Sequence, residues 1–232
     1  MYSFKTLIFG ASGAVGRELV DYLLDSIQYS KITLITRKTL EKWEKSNPAK
    51  LIVIKVESLD FLINDLNKIK ELIPDIESYN SVFNLLGGRV ETGEEEVRKI
   101  EKVYALKTLE ICEKYNIPHF LLCSSNRADK NSFFLVWKVK GETEEELKRR
   151  KTIKRISVFH PGILLDRDND EKLGETLKKG VNTISKIGPK DVAKSMLIVD
   201  LKFNCQNHLT HNPEEVYEVI ENDQMIKLCE EK

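Results

Sequence analysis

Phe4-Lys5-Thr6-Leu7-Ile8-Phe9-Gly10-Ala11-Ser12-Gly13-Ala14-Val15-Gly16 is the stretch on which the fold turns. Phe4 to Phe9 is a short apolar run of the kind that forms a strand buried on both faces, and such a strand needs helices above and below it. From Val15 to Ile27 the apolar residues fall at Leu19, Val20, Leu23, Leu24 and Ile27, which is a helical period. Between them stands G-x-x-G-x-x-G, spanning Gly10, Gly13 and Gly16. Glycines there allow a tight turn and a close approach of backbone to a pyrophosphate, while the helix N-terminus offers unpaired N–H groups and the positive end of its dipole. Gly10, Ser12, Gly13 and Gly16 are the expected phosphate contacts, with Ala14, Val15 and Arg17 in the helical turn that follows. The competing reading is a tight turn in a purely structural strand-to-helix loop.

Further along the chain the alternation repeats. Ile32 to Thr36, Leu51 to Val56 and Val82 to Leu86 read as strands separated by helical or charged stretches. Glu94 to Asn116 reads as one long helix with a broad apolar face, and Phe120 to Cys123 as the fifth strand. A helix from about Phe134 to Arg150 follows, with Glu144 facing Lys148, Glu145 facing Arg149 and Glu146 facing Arg150 across a solvated face. Ile156 to Phe159 then completes a doubly wound parallel sheet in the order 3-2-1-4-5-6, an α/β Rossmann-type fold. Beyond His160-Pro161-Gly162 the pattern loosens. Residues 1–232 are expected to form one dinucleotide-binding domain, with about 166–232 supplying a small substrate-side region. Within it, Asp166 to Gly180 reads as a loop or short helix, Asp191 as the cap of a helix over Val192 to Leu201, His208-Leu209-Thr210 as a last strand, and Pro213 as the opening of a C-terminal helix.

With 41% hydrophobic, 32% charged and 8% aromatic residues in 232, the chain has material for a real core and is neither disordered nor a disulfide-stapled miniprotein. Lys+Arg and Asp+Glu both number 37, so no net field draws it to nucleic acid or to an anionic membrane. The four cysteines, at 112, 123, 205 and 229, form no C-x-x-C pair and read as buried reduced thiols. His208 and His211 lack the Glu of a zinc-protease helix and a third ligand, so no metal is expected. No run of about 18 apolar residues suggests a membrane span, and the start of the chain has no signal-peptide pattern, so the sequence predicts a cytoplasmic protein.

At the end of the second strand, where NAD-specific proteins place a carboxylate for the ribose 2′-hydroxyl, the chain reads Thr36-Arg37-Lys38. Two cations there suit a 2′-phosphate, Arg as a planar fork and Lys as a point charge, which favours NADP(H) over NAD(H). The bland alternative is a solvated basic turn. After the fourth strand, Leu86 and Gly87 in Asn84-Leu85-Leu86-Gly87-Gly88 either let backbone approach a ligand or serve a plain turn.

These segments, together with Ser124-Ser125, Lys140-Gly141-Glu142 and Ser157 to Leu165, resemble the atypical short-chain dehydrogenases/reductases. Within that group the likeness is nearest to the Tat-interacting oxidoreductase family of small NADPH-binding proteins. The resemblance implies an NADP(H)-dependent oxidoreductase acting on an unknown small molecule, with a protein partner as a further possibility. It implies a catalytic Ser at Ser124 or its neighbour Ser125, and a Lys at Lys140 that also reaches the nicotinamide ribose. It sets Leu164 near the cofactor, Lys172 near cofactor or substrate, and His160 where the family commonly has Arg. The family's Tyr, four residues before the Lys, falls on Val136. Because that Tyr hydroxyl is the acid that protonates the carbonyl oxygen, Val136 leaves two readings open: an oxidoreductase with another proton source, or a non-catalytic NADPH-binding regulator or scaffold. A sugar-nucleotide or flavin-reducing relative of the same fold is the third.

Overall fold

A computed structural model describes residues 3–88, 90–165, 185–209 and 217–230. In chain order it contains β1 (Phe4–Phe9), α1 (Ala14–Asp25), β2 (Tyr29–Thr36), α2 (Glu41–Glu44), β3 (Leu51–Lys55), α3 (Phe61–Asn64), α4 (Lys68–Leu72) and β4 (Ser81–Asn84). Next come α5 (Glu94–Arg98), a π-helical segment (Lys99–Tyr104), α6 (Ala105–Tyr115), β5 (His119–Cys123), α7 (Leu135–Lys148) and β6 (Arg155–His160). The short parallel pair β7 (Ile163–Leu164) and β8 (Lys186–Ile187) leads to α8 (Pro189–Leu209), β9 (Tyr217–Glu221) and α9 (Asn222–Glu230).

Among the described residues seven strands form one sheet in the order β3-β2-β1-β4-β5-β6-β9, every pair parallel. The expected doubly wound order is thus present, with a seventh strand added at the β6 edge. Strand residues alternate between two apolar layers, as a sheet covered on both faces requires. Leu7, Phe9 and Val82 pack with Leu109 and Leu147 on one side, whereas Phe4, Ile8 and Phe83 pack with Leu19, Val20, Leu23 and Met196 on the other.

Several expectations need correction. The first helix stops at Asp25, where Ser26 turns to an extended conformation, and Ile27 is 74% exposed instead of belonging to the apolar face. The long helix from Glu94 is continuous but passes through the π segment, where Thr143 of α7 brings its hydroxyl 3.0 Å from the Glu101 carbonyl. Asp191 does not cap α8: the helix opens at Pro189, and Gly188 O accepts the Asp191 and Val192 amides, so Asp191 lies in the first turn. The expected strand at His208-Leu209 is the end of α8, and the strand is instead β9, paired in register from Ile156↔Tyr217 to His160↔Glu221. The helix at the C-terminus begins at Asn222; Pro213, Thr210, His211, Lys172 and the stretch Asp166 to Gly180 lie outside the described residues. Of the four cysteines, none in a disulfide, only Cys112 is fully buried.

The length of α8 has a visible cause at the amino ends of the strands. Asp200 is fully buried, and its carboxylate accepts from Tyr29 Oη (2.6 Å), Ser81 Oγ (2.8 Å) and Asn204 Nδ2 (2.9 Å), with His119 Nδ1 at 2.7 Å. Burial, and then the Asp200 charge, push the Tyr29 hydroxyl far above its ordinary range, so it remains a donor. His119 Nε2 meets Ser157 Oγ at 2.8 Å, which gives Ser157, His119 and Asp200 the contacts of a hydrolase triad. All three are fully buried, so no substrate reaches them, and Ser157 donates its hydrogen to Glu218 (2.5 Å). The cluster ties α8 to β2, β4, β5 and, through Glu218, to the edge strand. Asp200→Ala is therefore expected to cost about 3–5 kcal/mol, the scale on which a shared buried acceptor is lost and several donors are orphaned. Urea denaturation followed by circular dichroism reads this directly, and a loss below about 1 kcal/mol would mean that water replaces the carboxylate without penalty.

Candidate functional site

The cleft lies at the carboxyl ends of the strands, where parallel α/β sheets place their ligands, and has a volume of about 860 Å³. Its first wall is the β1–α1 turn. Gly10 has a φ of +84°, and a Cβ there would stand 2.5 Å from the Leu85 carbonyl carbon. A side chain at Gly16 would strike the Gly10 and Ala11 backbone. These two glycines are therefore required by packing. Gly13 differs: a Cβ on it would meet only the Gly10 carbonyl oxygen, at 3.3 Å. Gly13 also opens α1 with no side-chain cap, and the first turn carries no acidic residue. An uncapped helix N-terminus beside an open hollow is what a pyrophosphate needs, so these residues fit a dinucleotide.

Opposite it, the β2 end is folded into a tight turn by Thr36, whose Oγ1 donates to Lys38 O (2.8 Å) and accepts from Lys38 N (3.2 Å). Arg37 and Lys38 project from this turn, exposed, lining the cleft and without an ion pair to any described residue. The β4 end is set by Asn84, which accepts from Leu86 N (3.0 Å) and donates to Thr108 (2.7 Å). Leu86 and Gly87 line the cleft beside the glycine turn.

The far end is built by β5, α7 and β6. Val136 and Lys140, one turn apart on α7, both line the cleft. Lys140 Nζ lies 2.6 Å from Glu101 Oε2, and Glu101 Oε1 accepts the Gly88 amide at 2.8 Å. With the two side chains 13% and 4% exposed, this is a nearly buried ion pair held by the π segment. Ser124 follows β5, its amide bonded to Phe159 O (2.9 Å) and its hydroxyl to Glu144 Oε1 (2.5 Å). Glu144 in turn meets His160 Nε2 at 3.0 and 3.1 Å, and His160 Nδ1 lies 3.3 Å from Glu221. Burial alone would lower the His160 pKa, but the bond and charge of Glu144, helped by Glu221, outweigh it and raise the value above the ordinary 6.5.

Of the described residues expected from sequence at the cofactor or in catalysis, Gly10, Ser12, Gly13, Ala14, Val15, Gly16, Arg37, Lys38, Leu86, Gly87, Ser124, Lys140 and Leu164 line this one cleft and Arg17 does not. Ser125, the alternative to Ser124, lines it too. Two buried carboxylates were missed. Glu144, which the i,i+4 spacing puts on a solvated face, is 5% exposed; Glu145 pairs with Lys130 and Lys148, Glu146 with Arg149, and Arg150 with Glu113 on α6. Glu101 carried no signal within its helix, since nothing local distinguishes a Glu that points inward. His208's side chain lies outside the described residues, as do the Lys172 and His211 positions.

Residues 10–199 match the family described as NAD(P)H-binding. The chain belongs to that family. It is 32% identical over 180 residues to Protein HTATIP2 of Rattus norvegicus, covering 77% of this chain and 70% of the relative. Protein fmp52, mitochondrial, of Aspergillus niger is 26% identical over 177 residues, 75% of this chain and 72% of that one. Among solved structures, MoeE5 in complex with UDP-glucuronic acid and NAD superposes with a TM-score of 0.66 at 14% identity, covering 94% of this chain and 75% of its own. A short chain dehydrogenase family protein from Francisella tularensis subsp. tularensis SCHU S4 gives 0.64 at 16% identity, over 97% and 99%. These likenesses establish the fold, an α/β Rossmann-type sheet. No helix among the described residues is long and apolar enough to cross a membrane.

The glycine geometry separates folding from binding. Gly13→Val is expected to leave the protein folded, at a cost of about 1 kcal/mol for the tight contact and the poorer N-cap, while lowering NAD(P)H affinity at least tenfold, about 1.4 kcal/mol, by calorimetry. Gly10→Val, forced into the left-handed region and against Leu85, is expected to lose more than about 2 kcal/mol of stability. Retained affinity in Gly13→Val would move the phosphate site elsewhere.

Proposed function

We propose that this chain binds NADPH in preference to NADH and is a short-chain dehydrogenase/reductase-like protein whose carbonyl-reducing chemistry is weak. All 232 residues are taken as one cofactor-binding unit. In this reading the Gly10 to Gly16 turn, with the Ser12 hydroxyl and the Ala14 and Val15 amides, holds the pyrophosphate, and Arg17 extends the same helical turn. Leu86, Gly87 and Leu164 pack along the cofactor. Lys140 holds the ribose, and Ser124 hydrogen-bonds a substrate carbonyl. A bound reduced nicotinamide would supply hydride to that carbonyl.

The observation that carries the preference for NADPH is the pair Arg37 and Lys38, two cations in the cleft without an ionic partner among the described residues. A 2′-phosphate answers both, whereas a 2′-hydroxyl gains nothing from either. Replacing both by neutral residues should cost about 1.5–3 kcal/mol per charged hydrogen bond lost, tenfold or more in NADPH affinity, with NADH little changed. Calorimetric titration with both cofactors tests this, and equal affinities in the wild type would overturn the preference.

Val136 favours the second reading, an NADPH-binding protein retained for sensing or scaffolding. It lies one turn before Lys140 with no proton to give, and a placed general acid is worth about 10²–10⁴-fold. Turnover of aldehydes, ketones and quinones is accordingly expected to be slow, and Val136→Tyr to raise it. Wild-type rates of about 1–10³ s⁻¹ in an NADPH oxidation assay would refute the prediction.

A further inference from the structure

Ser124, Glu144, His160 and Glu221 form an unbroken file of hydrogen-bonding groups from the cleft to the surface. Ser124 lines the cleft. Glu144 is sealed behind it at 6% side-chain exposure, His160 follows at 13%, and Glu221 reaches solvent at 57%. The spacings are 2.5 Å from Ser124 to Glu144, 3.0 Å from Glu144 to His160, and 3.3 Å from His160 to Glu221. Both ring nitrogens of His160 face a carboxylate, an arrangement that the doubly protonated imidazolium satisfies fully and a neutral ring satisfies only at one side. A buried Glu whose only task was to pair with His160 would have no need of a serine at the cleft wall. Here the same oxygen, Oε1, serves both.

We propose that this file is a proton relay, with Ser124 the group that delivers the proton to a reduced carbonyl in place of the acid that Val136 lacks. The proposal rests on the NADPH-dependent reading above. As hydride reaches the carbonyl carbon, the Ser124 Oγ–H bond breaks and an O–H bond forms on the substrate oxygen. The Ser124 hydrogen, donated to Glu144 Oε1 at rest, turns to the substrate oxygen; the Glu144 carboxylate takes the proton of His160 Nε2 and passes it to Ser124 Oγ in the same movement. His160 regains it from water through Glu221. One proton is consumed and every protein group returns to its starting state.

The sign of the pH dependence follows from the charges around His160. Glu144 on α7 and Glu221 on β9 both stabilise the imidazolium. Tyr217 on β9 stays neutral, because burial and the charges of Glu144 and Glu145 push its hydroxyl far up. The relay is therefore loaded at low pH and lost as pH rises through the elevated His160 pKa.

Two measurements test it. In the cofactor-free protein, an NMR titration of the His160 ring should give a midpoint above 6.5 that falls in Glu144→Gln and in Glu221→Gln. In the NADPH-loaded protein, single-turnover oxidation by a reactive aldehyde should slow as pH passes the same midpoint. His160→Gln should remove that step and lower the rate at pH 6 tenfold or more with unchanged NADPH affinity, and Val136→Tyr should make the rate independent of His160. Should His160→Gln not fold, exposed Glu221→Gln carries the test by shifting the step to lower pH. A flat wild-type profile, no turnover at any pH with NADPH bound, or a step indifferent to these substitutions would overturn the relay alone and leave a structural ion pair. Absence of NADPH binding would overturn the cofactor reading and the relay together.

Discussion

The contact between Gly10 and the backbone of Leu85 is the constraint from which the cleft follows. β1 and β4 are neighbours in the sheet, yet their connections depart in opposite directions: β1 feeds α1 and then β2, whereas β4 feeds the helices that lead to β5. A crevice opens wherever successive crossovers diverge in this way. Its width is set by how closely the two strand ends approach, and here the turn sits against the Leu85 carbonyl so tightly that no Cβ fits. Gly16 repeats the demand one helical turn later, letting α1 settle on the Gly10–Ala11 backbone. The direction of α1, and with it the aim of its uncapped N-terminus, is thus a consequence of two missing side chains.

Much of this was legible in sequence because the signals are local. Buried parallel strands show as apolar runs, and the strand-to-helix turn shows as spaced glycines, so the first six strands and the glycine cradle could be read directly. Val136 and Lys140 share a helix face by spacing alone. What escaped depends on partners distant in the chain. Glu144 with Lys148 is a favourable i,i+4 pattern whether the Glu faces water or faces inward, and only His160 and Ser124 decide which. β9 was hidden for the same reason: Glu218 and Glu221 make the segment look unlike a strand, but Glu218 is met by Arg155 at 3.1 Å and Ser157, and Glu221 by His160. The length of α8 was missed because Asp200 and Asn204, one turn apart, look like a polar end to a helix until Tyr29, Ser81 and His119 are seen around them.

The two ends of the sheet carry polar clusters of similar composition and different consequence. Around Asp200 the residues Tyr29, Ser81, His119, Ser157 and Asn204 are all enclosed and the Asp200 carboxylate is filled by donors, so that none of them meets the cleft. Such a satisfied network specifies one arrangement of helix on sheet and has no route to a ligand. Around Glu144 the serine stands on a cleft wall and the last carboxylate is open to water. Similar side-chain types become a brace at one end and a conduit at the other, and exposure alone makes the difference.

The Lys140–Glu101 pair bears on how a dinucleotide would be oriented. An ammonium has three N–H donors, and one bond to Glu101 leaves two for neighbouring hydroxyls, so on the proposed reading the pair does not block a ribose but fixes the height at which it would be met. It also cancels the Lys140 charge locally, just as His160 and Glu144 offset one another nearby. The lining cations without an ion pair among the described residues are then Arg37 and Lys38 beside the β2 end, and Arg127, whose guanidinium lies 4.8 Å from the ring centroid of Trp137 on α7. A ligand with one strongly anionic end meets two adjacent cations at the β2 end, and at α7 a single guanidinium set against an aromatic face. On the proposed reading this asymmetry favours one direction of entry, with the phosphate-bearing ribose under Arg37 and the reactive ring facing Ser124, where Val136 has no proton to give.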